Sequence, residues 1–208
     1  RGIIMSTLLV IQAYSKDKNA HLDRLNQHFI TSYQQAHPKD RIISHDLTKD
    51  DTPILNSQML MALRKKQHQK PLSSFEQKLL GEHDDWLNDF MLADKYLFVA
   101  PIQQQFLPAE LKQYLDLIIS SLAELSPHKK ALHLQATNRT YHRSLKYFWD
   151  TYRHKHNLGN KYLQKLLSFH GLKNFTTLHI EGLANCCTSC DLSLKHCQKQ
   201  LTKIANAF

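Results

Sequence analysis

Three stretches of this chain group residue types able to bind a ligand or to do chemistry. The first is PIQQQF at residues 101–106, where Gln103, Gln104 and Gln105 follow an apolar run and precede a proline-opened helical pattern. Long amides in a short strand-to-helix turn need hydrogen-bond partners, from a ligand or from water. The second is NCCTSCDLSLKHC, which crowds Cys186, Cys187, Cys190 and Cys197 around His196 near the start of the last helical pattern. Such soft ligands suit zinc, and a thiol at a helix amino terminus is acidified and suited to redox exchange. A single Cys-x-x-Cys is common without either role, so reduced thiols are the default reading and no metal is assigned. The third runs over residues 139–165, where Tyr141, Tyr147, Phe148, Trp149 and Tyr152 interleave with Arg143, Lys146, Arg153 and Lys155. Rings alternating with cations suit a protein interface or pocket wall, a plain amphipathic helix, or single-stranded nucleic acid. The interface or pocket reading is adopted. No Ser-His-Asp arrangement, nucleotidase-type phosphate loop or pair of carboxylates is present, and no residue is assigned as catalytic.

These stretches need a core to hold them. The chain has 208 residues, 42% of them apolar, enough for one α/β domain. Residues 5–208 are read as that domain, with residues 1–4, ahead of a plausible initiator at Met5, set aside as tag or leader. Five glycines and six prolines leave no room for linkers or repeats. No apolar run is long enough to span a bilayer, and the opening TLLVIQAY reads as a first strand rather than a signal peptide. A cytoplasmic location is expected, in keeping with reduced cysteines. The formal charge of +9 fits an anionic ligand or a basic surface as well as nucleic acid, which is not assigned as a partner.

Five short β-branched or aromatic runs, at 8–13, 41–46, 96–100, 131–135 and 176–180, read as strands. Helical periodicity fills 21–36, 73–93, 108–122 and 191–207, and 144–170 in two pieces broken near 157–159. Strands alternating with helices predict a parallel sheet covered on both faces. Five of them suggest a flavodoxin-like doubly wound fold of strand order 2-1-3-4-5, whose ligand crevice lies beyond the carboxyl ends of the strands where the order reverses. PIQQQF follows the third strand, so its glutamines are expected to face that crevice.

The stretches APIQQQFLPAELKQYLD, HDLTKDDTPILNSQML and SSFEQKLLGEHDDWLNDFMLADKYLFV, with EGLA after the fifth strand, resemble the FMN-dependent NADH azoreductase and NAD(P)H quinone reductase family. The resemblance implies a homodimeric flavoprotein that takes hydride from NADH or NADPH and passes it through FMN to a quinone or azo compound. It also implies three flavin loops. The first, AYSKDKNAHLDRL, places Tyr14, Asn19 and His21 at the phosphate, with Lys16 and Lys18 beside them and Leu22 where the family has serine. Alternatively, Asn19 serves as a helix cap. The second loop places Pro101, Ile102, Gln103, Gln104 and Gln105 against the ring, where main-chain groups would serve and the family's aromatic is missing. The third places Thr137, Asn138 and Arg139 where the family has a Ser-Arg-Gly-Gly run, without a glycine. These departures leave open a second reading, a family member that has lost flavin and serves a binding or regulatory role.

Overall fold

The computed structural model describes residues 5–103, 106–137, 157–181 and 188–208. Its elements run β1 (Thr7–Gln12), α1 (Ala20–Ala36), β2 (Arg41–Asp46), α2 (Ser57–Gln67), α3 (Ser74–Leu92) and β3 (Lys95–Pro101). They continue with α4 (Ala109–Ile119), β4 (Lys130–Thr137), α5 (Leu158–Phe169), β5 (Asn174–Glu181) and α6 (Thr188–Ala207). The strands pair in parallel in the order β2-β1-β3-β4-β5, as expected from the sequence.

The central strands are apolar throughout because both of their faces are covered. Leu9, Ile11, Tyr96, Phe98 and Ala100 point to one face, where Phe90 of α3, Leu111 and Leu115 of α4, and Leu163 and Leu167 of α5 close over them. Leu8, Val10, Leu97 and Val99 point to the other face, against Leu22, Leu25 and Phe29 of α1 and Leu194 and Leu201 of α6. Most of these side chains are wholly buried, each worth about 1.5–3 kcal/mol of transfer free energy.

Helix boundaries follow local chemistry. Ser73 and Glu76 form a reciprocal capping box at the start of α3. Asn157 caps α5 by accepting from the Asn160 N–H, so the predicted break at 157–159 is a helix start. The helix α2 has no clear helical period in the sequence. Five successive apolar residues, Met59 to Leu63, obscure its helical period, and only Met59 and Ala62 are buried. The other predicted piece, residues 144–156, lies outside the described residues.

The amino-terminal ends of the strands are held by polar staples. Asp40 accepts from the Ser6 N–H at 3.0 Å, from Tyr33 Oη at 2.6 Å and from Lys95 Nζ at 3.1 Å. Burial works against ionisation of Asp40, but these three donors outweigh it and hold its carboxyl below the usual range. Lys129 Nζ donates to the carbonyls of Met91 and Ala93, which close α3. Lys130 Nζ does the same for Ala207 and Phe208 at the end of α6.

Candidate functional site

In a parallel sheet the helices that follow strands begin at the strands' carboxyl ends, so N–H groups and positive dipole ends collect there. At the end of β1 the Ala13 N–H continues the ladder by donating to the Val99 carbonyl, and the chain then turns into α1. Tyr14 is buried under this turn. Its hydroxyl donates to Asp23 Oδ1 at 2.9 Å and accepts from Asn26 Nδ2 at 3.1 Å. Burial, with the Asp23 carboxylate beside it, pushes the phenol pKa up, so it stays neutral. Tyr14 therefore braces the turn from below with its own polar atom already partnered.

Asn19 does not cap α1. Its side chain turns back to donate to the Ser15 carbonyl at 3.1 Å, while its backbone carbonyl accepts the Asp23 N–H. The capping expectation is thereby corrected: no side chain caps this terminus. The first-turn N–H groups keep their capacity for an external acceptor. His21 stands in that turn, with Nδ1 buried and no hydrogen-bond partner among the described residues. Lys16 and Lys18 are exposed nearby, Lys16 with its Nζ 3.9 Å from Asp23. Uncapped N–H groups, an unsatisfied imidazole nitrogen and two cations make this the place in the crevice best suited to an anion.

The second wall follows β3. The Ile102 N–H donates to the Ala136 carbonyl at 2.8 Å, extending the β3–β4 ladder. Gln103 and Phe106 exchange two main-chain hydrogen bonds across an antiparallel bridge, at 3.0 and 2.8 Å. The N–H groups of Ile102 and Gln103 are thus used within the chain. Pro101 and Ile102 are half-buried and Gln103 is exposed; Gln104 and Gln105 lie outside the described residues. Phe106 was not singled out from the sequence. Its ring packs 5.4 Å from Tyr162 of α5, so an aromatic pair does border this loop.

The third wall is the end of β4. Ala136 is opposite Pro101 in the ladder and Thr137 opposite Glu181, while Asn138 and Arg139 lie outside the described residues. One turn deeper lies a polar network. Gln135, wholly buried, exchanges hydrogen bonds with Asn157 at 2.5 and 3.3 Å. His133, also wholly buried, shares a hydrogen bond with Asn160 Oδ1 at 2.8 Å, and the same oxygen accepts from Thr177 at 2.9 Å. Because that oxygen only accepts, the His133 proton sits on Nδ1. Burial pushes the His133 pKa down to about 4, against the raising effect of the Asn160 bond, so the ring is neutral at pH 7. A sequence signal for this network existed. His133 and Gln135 are two polar residues at alternate positions of an otherwise apolar central strand, which requires polar partners on one face.

The cysteine expectation meets little structure: Cys186 and Cys187 lie outside the described residues, and the side chain of Cys190 is not among those described. Cys197 is half-buried against the α1–α6 core, and burial pushes its thiol pKa up, away from thiolate chemistry. Among the described residues no cluster able to hold a metal ion occurs. No helix among them is long and apolar enough to cross a membrane. Most of the basic–aromatic block, residues 139–156, is likewise outside the described residues, and its remainder belongs to α5.

With this geometry in place, comparison with known proteins is informative. Residues 6–203 match the family described as Flavodoxin-like fold. The chain is 36% identical over 193 residues to an FMN-dependent NADH:quinone oxidoreductase of Lactiplantibacillus plantarum, covering 86% of this chain and 88% of the relative. An FMN-dependent NADH:quinone oxidoreductase of Lactococcus lactis is 34% identical over 195 residues, with 86% and 89% covered. The crystal structure of an azoreductase from Bacillus anthracis superposes with a TM-score of 0.81 at 25% identity, covering 99% of this chain and all of that one.

Proposed function

Because the chain belongs to the flavodoxin-like-fold family, we propose that it is an FMN-dependent NAD(P)H oxidoreductase reducing quinones or azo compounds. The observation that carries this reading is the uncapped amino terminus of α1 at the carboxyl end of β1, with the unsatisfied His21 Nδ1 beside it. That combination fits a phosphate monoester and answers the replacement of the family's serine by Leu22, since main-chain N–H groups need no particular side chain. An uncapped, cation-flanked helix start favours retention of the cofactor over its loss. When bound, the flavin supplies the hydride chemistry; the protein binds, orients and shields it.

The residues proposed to hold it fall into three groups. Asn19 and His21, with the N–H groups of the first turn, take the phosphate, and Tyr14 holds that turn in place from beneath. Pro101 and Ile102 provide a half-buried apolar floor beside the exposed Gln103, and Gln104 and Gln105 belong to the same proposed group. Thr137, Asn138 and Arg139 complete the third side. No catalytic side chain is required of this chain, because the electron carrier is the cofactor.

A homodimer and a cytoplasmic location belong to the same proposal. Ile54, Leu60 and Met61, on α2 and the loop entering it, are 58%, 46% and 60% exposed, an apolar surface suited to cover by a second copy. Met61→Lys is expected to shift the sedimenting species from dimer to monomer.

The test of function is direct. Purified protein is expected to carry the visible absorption bands of flavin, or to acquire them on addition of FMN, and to oxidise NADH in the presence of a quinone. Colourless protein that leaves FMN fluorescence unquenched at micromolar concentration overturns the reading.

A further inference from the structure

The amino end of α5 is pinned from two sides. From the sheet, the Gln135 amide pairs with Asn157, which also caps the helix, and His133 and Thr177 both hold Asn160 one turn on. Joining three amides, an imidazole and a hydroxyl around the buried His133 and Gln135 fixes the members, since a partly broken network leaves unsatisfied polar groups in low dielectric. On its other side the helix touches the loop that follows β3. Gly159 approaches so closely that a Cβ there would lie 2.8 Å from Leu107 N and 2.9 Å from the Phe106 carbonyl carbon. Those are backbone atoms, which cannot swing aside as a side chain can. The same loop is tied to the sheet by the Ile102–Ala136 hydrogen bond and closed on itself by the Gln103–Phe106 bridge. So β4, the start of α5 and residues 101–103 and 106–107 are tied to one another.

We propose that Gly159, with the Gln135–Asn157 amide pair behind it, is a positioning element that sets where residues 101–103 and 106–107 stand beside the proposed flavin site. The inference rests on the flavin reading above and adds residues outside the three loops assigned to it. Helix propensity argues against glycine at this position, since alanine is the better helix former. The close approach of two backbones supplies the reason for it.

The comparison uses Gly159→Ala and Gly81→Ala in the full-length protein. Gly81 lies in α3 with nothing within 4 Å of where its Cβ would be, so its substitution adds a methyl group without displacing anything. Gly159→Ala is expected to weaken FMN binding about tenfold through displacement of the loop. It should also alter the visible circular dichroism of bound flavin and its midpoint potential at saturating FMN. Gly81→Ala is expected to match wild type in all three. Spectra, potential and affinity of Gly159→Ala equal to wild type overturn the inference and leave the functional reading standing. If Gly159→Ala does not fold, Asn157→Ser decides. Serine keeps the cap and loses the pair with Gln135, so a changed flavin dichroism supports the inference and an unchanged one overturns it. Wild-type protein that takes up no FMN overturns the functional reading, and this inference falls with it.

Discussion

The two ends of the sheet are built to opposite rules. At the amino-terminal ends of the strands, helices finish, and lysines meet their last carbonyls: Lys129 at α3 and Lys130 at α6. Lys95, Tyr33 and Asp40 close on one another there, with Lys95 and Asp40 side chains only 12% and 9% exposed. At the carboxyl-terminal ends, helices begin, and α1 begins without a side-chain cap. A lysine at a helix end satisfies carbonyls and dipole at once, and nothing remains for a ligand to do. An uncapped start leaves that role open. The difference teaches that parallel topology gathers helix starts at one end of the molecule, where an anion could be met, and helix ends at the other, where lysines meet the last carbonyls.

If that division holds, damage at the amino-terminal end should affect stability and leave cofactor affinity alone. Asp40→Ala removes the acceptor shared by Ser6, Tyr33 and Lys95 and leaves a mostly buried ammonium without its carboxylate. The expected loss is about 3 kcal/mol in urea unfolding, with FMN affinity of the folded protein unchanged. A large loss of FMN affinity in that variant would break the division.

An effect of similar size, confined to acid pH, is expected from His133, in the network between the two ends. Its folded pKa, about 4, lies below the value near 6.5 of an exposed histidine. The unfolded chain therefore binds a proton that the folded one refuses, as pH falls from about 6.5 to 4. The contribution of this group is present above the upper value and is lost across that window, about 3 kcal/mol in all. His133→Gln keeps a side chain able to bond Asn160 and should flatten the acid limb of stability against pH. An acid limb as steep as that of wild type would count against burial of a neutral ring.

The smallest expected effect sharpens the comparison most, because its two parts differ in sign. His21→Asp puts a carboxylate into the first turn of α1. Negative charge there should leave apo-protein stability unchanged or raise it by about 0.5 kcal/mol, through the helix dipole. The same charge should repel a phosphate and weaken FMN binding roughly tenfold. Stability and affinity moving together in that variant would place the phosphate elsewhere.

Much of the fold was legible before the structure. All five strands were placed within two residues of their observed ends, because runs such as LLVI and YLFVA are apolar on both faces and end in polar residues. The helix α2 was not legible, since its buried face is only Met59 and Ala62. At the site, the sequence indicated three loops but not how their atoms are used. Asn19 has a cap's identity and position, yet its amide prefers Ser15. Ile102 and Gln103 looked like free main-chain donors, yet both N–H groups are already taken.

Periodicity and turn chemistry are local properties, carried by residues three or four apart, so the amino-acid sequence alone determined the strand–helix alternation and, through it, the parallel order. Partnerships between distant residues are not local. Gln135 meets Asn157 from 22 positions away, and Gly159 meets Leu107 only because the sheet and α5 bring their backbones together. Hydrogen-bond partners and close contacts depend on sub-ångström juxtaposition, which packing sets and sequence spacing does not encode. For that reason only the tertiary structure decided which polar groups lock the crevice and which stay open to a ligand.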